Sequence, residues 1–297
     1  MVLADILKAM SQKEPDDVVR AWRESAPYWE KHRETVRLML EPVTRALIED
    51  ADIAKPKNVL DVACGAGEPG LTLAEVVGPM GSVTCTDIIP EMVAAVERQA
   101  ARLKLTNMKF RQSAADALPF DDDTFEATVC RFGAMFFPDP MAALREMLRV
   151  TKPKGKMALA VWHNKESNPF FSVVTDILAK YVESAAEDPH APGAFRFAEP
   201  GKLSQILEQA GAIEVRERVL KFRIAAPLSP AEFWTLRSEM SETVRATLPR
   251  LKHEQQKRVQ QEVIETARQF FPQNQMSFPA KAIIVSGAKG IWQQDLV

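Results

Sequence analysis

This sequence predicts an α/β fold with a mainly parallel sheet, on three observations. Between residues 56 and 162, short apolar runs bounded by turn signals alternate with amphipathic stretches of helical period, the pattern of a parallel sheet covered by helices on both faces. The first run leads into a glycine-rich turn, Cys64-Gly65-Ala66-Gly67-Glu68-Pro69-Gly70. Two later strand candidates are separated by a long helical stretch. Five β/α units followed by such an interrupted pair predict a seven-stranded sheet of order 3-2-1-4-5-7-6, its last strand antiparallel, with helical cap insertions.

The elements follow in order. Residues 1–54 read as two or three helices forming an N-terminal lid: Val18-Val19-Trp22 and Val36-Leu38-Met39-Leu40-Val43-Leu47 recur at helical spacing, and Pro27 and Pro42 are expected to break the run. Residues 55–165 form the core, with strands expected at NVLDVA (58–63), SVTCTD (82–87), MKFRQ (108–112), FEATVC (125–130) and KMALAVW (156–162). Between them, one helix places Met92, Val93, Val96, Ala100 and Leu103 on a single face, and another does so with Met141, Leu144 and Leu148. Residues 166–297 supply the rest of the sheet and the cap. FFSVVTDILAKYV reads as a helix, LSQILEQAG as a helix ending at Gly211, and IEVRERVLKFRI as a strand. Residues 230–271 return to helix, with Val259, Val263, Ala267 and Phe270 on one face, before the strand AKAIIVSG. The segments 1–54, 165–200 and 230–271 are expected to cover the C-terminal edge of the sheet.

Composition excludes several functions. The 297 residues, 46% apolar, carry 38 Lys plus Arg against 40 Asp plus Glu, a formal net charge of −2, without a basic block; nucleic acid is not an expected partner. Cys64, Cys85 and Cys130 form no CxxC pair and each lies near the end of an apolar run, so buried reduced thiols are expected. Neither a secretory leader nor an apolar stretch of membrane-spanning length is evident, which predicts a cytoplasmic protein without membrane insertion. No His/Asp/Glu cluster has metal-ligand spacing.

The chemistry concentrates at the strand ends. Glycines in the first turn permit positive φ and close approach of a ligand, and the following helix offers free N–H groups. The turn contains GxGxxG literally, so a dinucleotide site and an ordinary tight turn both remain open there. Three acids stand in register with it. Asp87 ends the second strand, where an acid can accept both hydroxyls of a ribose. Asp116, after the third, can accept from an adenine amino group. Asp61, inside the first strand, can orient the loop or reach the ammonium of an amino-acid ligand.

Taken together, VLDVACGAG, the acid of TCTD with the following IIPEMV, AADALPFDDDTF, ATVCRFGAMFF and DPMAALREMLRVTKPKGKMALAVW resemble class I S-adenosylmethionine (SAM)-dependent methyltransferases of Rossmann-like fold. Within that class they are similar to the ubiquinone/menaquinone-biosynthesis C-methyltransferases and their type-11 relatives, over roughly residues 20–165. The resemblance implies Gly65, Ala66 and Gly67 against the methionine part of SAM, Asp87 on the ribose, and Ile88 and Met92 near the adenine. It also implies Ala115 and Asp116 bordering the adenine, Arg131 opening onto the methionine moiety, and Tyr28 in a lid helix over SAM, where ordinary aromatic packing is the alternative. The quinone enzymes carry Arg-Asn after the FG of the fourth strand, whereas Phe132-Gly133 here precedes Ala134-Met135-Phe136-Phe137, and their KPGG is Lys152-Pro153-Lys154-Gly155. The first departure counts against a quinone-type acceptor.

His163, directly after the fifth strand, is placed to act as a general base, with a solvated loop histidine as the plainer reading; His32, His190 and His253 are expected at the surface. Trp162, Phe170, Phe171, Phe195, Phe197 and Trp234 fit either a substrate pocket or a core under the cap. The implied reaction is direct in-line methyl transfer from SAM to a small-molecule acceptor, leaving S-adenosyl-L-homocysteine, with no covalent enzyme nucleophile. An NAD(P)-dependent reductase is the alternative enzyme, but neither Tyr28 nor Tyr181 is followed by a lysine at short helical spacing; a non-catalytic SAM-fold binding protein is the other alternative. A homodimer is left open.

Overall fold

The computed structural model describes residues 15–182 and 191–291; the start of the expected N-terminal lid, part of the 165–200 segment and His190 lie outside the described residues. In chain order the elements are α1 (Pro15–Lys31), α2 (Arg33–Asp50), β1 (Asn58–Val62), α3 (Gly70–Val77), β2 (Ser82–Asp87), α4 (Pro90–Leu103), β3 (Met108–Gln112), β4 (Phe125–Arg131) and α5 (Pro140–Val150). They continue with β5 (Thr151–Trp162), α6 (Pro169–Leu178), α7 (Lys202–Gln209), β6 (Ala212–Ala226), α8 (Pro230–Met240), α9 (Glu242–Thr247), α10 (His253–Ala267) and β7 (Met276–Lys289).

One seven-stranded sheet runs β3-β2-β1-β4-β5-β7-β6, the expected order. The pairs β1/β2, β1/β4, β2/β3 and β4/β5 are parallel and β5/β7 is antiparallel. The position of each strand explains its composition. Central β1 is buried on both faces from Val59 to Val62 and reads as a continuous apolar run broken only by Asp61. β3, on the edge, is half-exposed and carries Lys109 and Arg111, charges that keep an open edge from pairing with another chain.

Three details differ from expectation. Pro27 and Pro42 lie inside α1 and α2, and the turn between these helices falls at His32. There His32 N donates to Tyr28 O (3.0 Å) and Val36 N to His32 O (2.9 Å). An interior proline costs about 3 kcal/mol, but burying Met39, Val43 and Leu47 contributes roughly 1.5–3 kcal/mol each, so the helix survives. β5 begins at Thr151 rather than 156: Phe125 pairs with Thr151 and Ala127 with Lys156, so a bulge absorbs Pro153, Gly155 and Lys154 at φ 65°. Leu103 is exposed, while Ala95 joins Met92, Val96 and Ala100 in the buried face of α4. Leu103 closes the last turn before left-handed Lys104.

The chain divides into two compact units. The first comprises residues up to Leu40, Asn164–Ala191 and Lys221–Lys281; the second comprises Glu41–His163, Pro192–Leu220 and the chain from Ala282 onward. The helical unit is organised by aromatic side chains. Phe233 and Phe278 are fully buried, with ring centroids 5.0 Å apart, and Phe170 meets each edge-on at 5.7 and 5.6 Å. α10 packs on α6 and α8 through Val259, Val263 and Ala267. Ser229 caps α8 with a reciprocal Glu232 contact. His32, expected at the surface, is 15% exposed and bonds Glu239 through Nε2 at 2.5 Å; His253 is exposed as expected.

The sheet unit buries Val59, Leu60, Val83, Ala127, Val129 and Leu159 beneath Met92 and Val96 of α4 and Leu144 and Met147 of α5. All three cysteines are buried and unpaired by disulfides.

Candidate functional site

The C-terminal ends of β1, β2 and β4 assemble one polar cluster inside the sheet unit. β1 ends at Val62, and the chain turns at once through Ala63 (φ 56°), Gly65 (φ 54°) and Gly67 (φ 125°) before α3. A left-handed alanine is uncommon; here Cys64 N donates to Thr86 O at 2.9 Å and fixes the turn to β2. Gly67 N closes on Cys64 O at 3.1 Å, and Leu71 N takes Gly67 O at 2.8 Å. A side chain on Gly65 would meet open space within 4 Å, whereas one on Gly67 would strike Leu71. Gly65 therefore leaves an uncovered backbone surface, and Gly67 permits the tight fit of turn to helix.

Asp61 lies beneath this turn and is completely buried, yet neither carboxylate oxygen has a hydrogen-bond partner among the described residues. The amide of Gly70 approaches without completing a bond of good geometry. Burial drives the Asp61 pKa up to about 8, against the opposing pull of Arg131. Arg131, at the end of β4, donates to Thr44 Oγ1 and to the Glu68 carbonyl, both at 2.9 Å. Its guanidinium is committed to holding the glycine turn and forms no ion pair with Asp61. Buried carboxylates without a hydrogen-bond partner are costly, and among the described residues neither Asp61 oxygen has one of good geometry.

Asp87 ends β2 and joins two segments. Its Oδ2 accepts from Gly65 N and its Oδ1 from Ile89 N, each at 2.9 Å. Burial lifts its pKa to about 6, with these amides opposing. The carboxylate thus shapes the glycine turn and the start of α4, and each oxygen retains a second lone pair.

The other sequence-selected residues distribute as follows. Ile88 is exposed beside Asp87, and Met92 is buried on α4. Ala115 is half-buried and Asp116 exposed in the loop after β3. Ala66 is buried in the turn. His163 is half-buried one residue past β5. Phe132 (φ 63°) stacks on Trp162 at 4.1 Å where β4 and β5 end, and Gly133 lets this corner pass against Ala63. Phe197 is buried between Arg196 and Lys202. Tyr28 belongs to the helical unit, where the Arg245 guanidinium lies 5.1 Å from its ring centroid. Phe170, Phe171 and Trp234 belong to that unit as well.

Thr44 and Glu68 complete the cluster without having been singled out from sequence. Thr44 lies 87 residues from Arg131, and nothing local marks it; Glu68, within the glycine turn, offers its carbonyl to Arg131, while its carboxylate accepts from Thr72 Oγ1 at 2.7 Å. A cleft of about 220 Å³ lined by Asn58, Ser82, Thr84, Lys109 and Arg111 lies toward the N-terminal starts of the strands, away from Asp61 and the turn. Among the described residues no group of His, Cys, Asp and Glu is arranged to hold a metal, and no helix is long and apolar enough to cross a membrane.

Comparison with known proteins agrees with this geometry. The model of the ubiE/COQ5 methyltransferase family matches residues 30–188. A demethylmenaquinone methyltransferase of Staphylococcus aureus is 31% identical over 192 residues, covering 61% of this chain and 78% of that protein. In fold, the chain is similar to the YcgJ protein of Bacillus subtilis (TM-score 0.52, 21% identity, 84% of this chain and 98% of that one). It is also similar to phosphoethanolamine N-methyltransferase 2 of Haemonchus contortus (TM-score 0.53, 13% identity, 91% of this chain and 59% of that one).

Proposed function

The chain belongs to the ubiE/COQ5 methyltransferase family, and from that premise we propose that it moves a methyl group from S-adenosyl-L-methionine to a small-molecule acceptor by direct in-line displacement. The observation that carries this reading is Asp61: a fully buried carboxylate with no donor on either oxygen, directly below a glycine turn that leaves Gly65 uncovered. An amino-acid ammonium supplies the charge and N–H donors this carboxylate lacks. A dinucleotide offers no such cation at its phosphates, so the reductase alternative gains no support from Asp61.

In this proposal Asp61 receives the ammonium, and Gly65, Ala66 and Gly67 lie along the methionine portion. Asp87 accepts from the ribose hydroxyls with the lone pairs its amide contacts leave open. Ile88, Met92, Ala115 and Asp116 border the adenine, and Arg131 acts by holding the turn in shape through Thr44 and Glu68. SAM, when bound, supplies a methyl group already activated by its sulfonium, so the residues need only orient donor and acceptor and exclude water. His163, just past β5, is the proposed base for an acceptor that must lose a proton.

The test is transfer of isotopically labelled methyl from SAM into pooled small-molecule acceptors, run beside calorimetric titration of SAM. Binding with label recovered in a product and S-adenosyl-L-homocysteine formed in equal amount is the expected result. Absence of SAM binding overturns the proposal; binding without turnover of any acceptor favours a non-catalytic SAM-binding role.

A further inference from the structure

Arg237, on α8 of the helical unit, is 7% exposed. Its guanidinium carbon lies 4.7 Å from the centroid of Phe170 and 5.2 Å from that of Phe171. Its Nε is sealed from solvent with no acceptor, and no carboxylate of the described residues pairs with it. Desolvation alone lowers its pKa to about 10, which leaves it cationic at neutral pH. Glu239, two residues along, is engaged by Lys31 at the end of α1 and by His32 in the turn that follows. Contact with aromatic faces returns only part of what a guanidinium loses on leaving water. A second buried donor without an acceptor, Trp29 Nε1, sits on α1, which packs against α8.

Ring contacts engage the faces of a guanidinium, whereas its N–H groups lie in its plane as a planar fork that matches a carboxylate, and Nε–H of this one has no acceptor among the described residues. No second cation acts on Arg237, so the site suits a single negative charge rather than a phosphate. We propose that Arg237 is the receptor for the carboxylate of a small organic acid with an apolar body, the aromatic side chains around the guanidinium accommodating that body. This anion site lies within the helical unit and does not rest on the methyltransferase reading.

Benzoate and its neutral isostere benzamide serve as probes of the full chain, with wild type, Arg237→Met and Arg237→Gln compared by ligand-dependent thermal melts and SAM titrated calorimetrically in each. Benzoate is expected to raise the melting temperature of the wild type and benzamide not to. Both variants should bind benzoate at least tenfold more weakly while keeping wild-type SAM affinity. Without probe, Arg237→Met should melt at or above the wild type, by up to about 4 °C, because an uncompensated buried charge is gone. The proposal is overturned by a wild type indifferent to benzoate at tens of millimolar, by equal responses to benzamide, or by variants that respond to benzoate as the wild type does. A variant that melts lower with its benzoate response intact assigns Arg237 to packing alone. Loss of SAM binding by the wild type sinks the methyltransferase reading and leaves the benzoate result to stand or fall separately.

Discussion

Raising the pH from 6 to 8 should strengthen SAM binding, because the carboxylate proposed to receive the ammonium is protonated in the ligand-free protein. Asp61 has a pKa of about 8, so at pH 6 only about one molecule in a hundred carries the anion, while the α-amino group of the ligand, with a pKa of about 7.7–8.0, is almost fully charged. The population of carboxylate facing ammonium therefore rises roughly twentyfold by about pH 8, worth about 1.8 kcal/mol, where it peaks, and falls at higher pH as the amine deprotonates. At pH 7 binding should release roughly 0.8 proton per ligand. Calorimetric titrations in phosphate and in Tris read that number from the difference in apparent enthalpy. Asp61→Asn, which cannot ionise, should bind about 10- to 150-fold more weakly at pH 8, the loss of a charge-assisted hydrogen bond, and lose the rise between pH 6 and 8. Ligand-free stability has the opposite sign. The folded carboxylate keeps its proton to about pH 8, whereas the unfolded one releases it near pH 4, so stability fully present below pH 4 declines by about 1.4 kcal/mol per unit until the folded pKa is passed. Enthalpies identical in the two buffers and an affinity flat from pH 6 to 8 would falsify the pairing of Asp61 with the ammonium.

Asp87→Ala should weaken SAM binding about 10- to 150-fold and also lower the melting temperature, since Gly65 N and Ile89 N lose their acceptor; a melt combined with a titration separates the two effects, and unchanged affinity removes Asp87 from the site. Gly133→Ala should cost about 1–3 kcal/mol in denaturant unfolding, because the new methyl would stand 2.5 Å from Ala63 Cβ and 2.9 Å from Cys130 Sγ. A neutral result there would mean that the β4 corner relaxes freely. Ser229→Ala should cost about 0.5–2 kcal/mol through loss of the α8 capping box, read as a shift in the unfolding midpoint without a change in SAM affinity.

The sheet was legible because its central strands are buried on both faces and must therefore be written in apolar residues. Its order followed from the alternation of strands with helices. Local punctuation misled where tertiary packing outweighed it. Pro27 and Pro42 look like helix ends, and Pro153 and Gly155 look like a turn, yet packed neighbours carry both helices and β5 through them. Asp61 and Asp87 stood out as acids at apolar strands, and both prove buried at the glycine turn. The Arg131–Thr44 link and the aromatic setting of Arg237 had no sequence signal, because each joins residues far apart in the chain.

The antiparallel strand between β5 and β6 also sets an order of events during synthesis. β5 is complete at Trp162, but its neighbour β7 emerges more than a hundred residues later. At about 5–20 residues per second the nascent chain must carry the unpaired side of β5 for roughly 6–25 s, and β6 reaches its place beside a strand that does not yet exist. Completion of the sheet therefore waits on translation: the ribosome delivers the keystone of the sheet last, and a pause or premature stop before Met276 leaves a row of backbone donors and acceptors open to another chain.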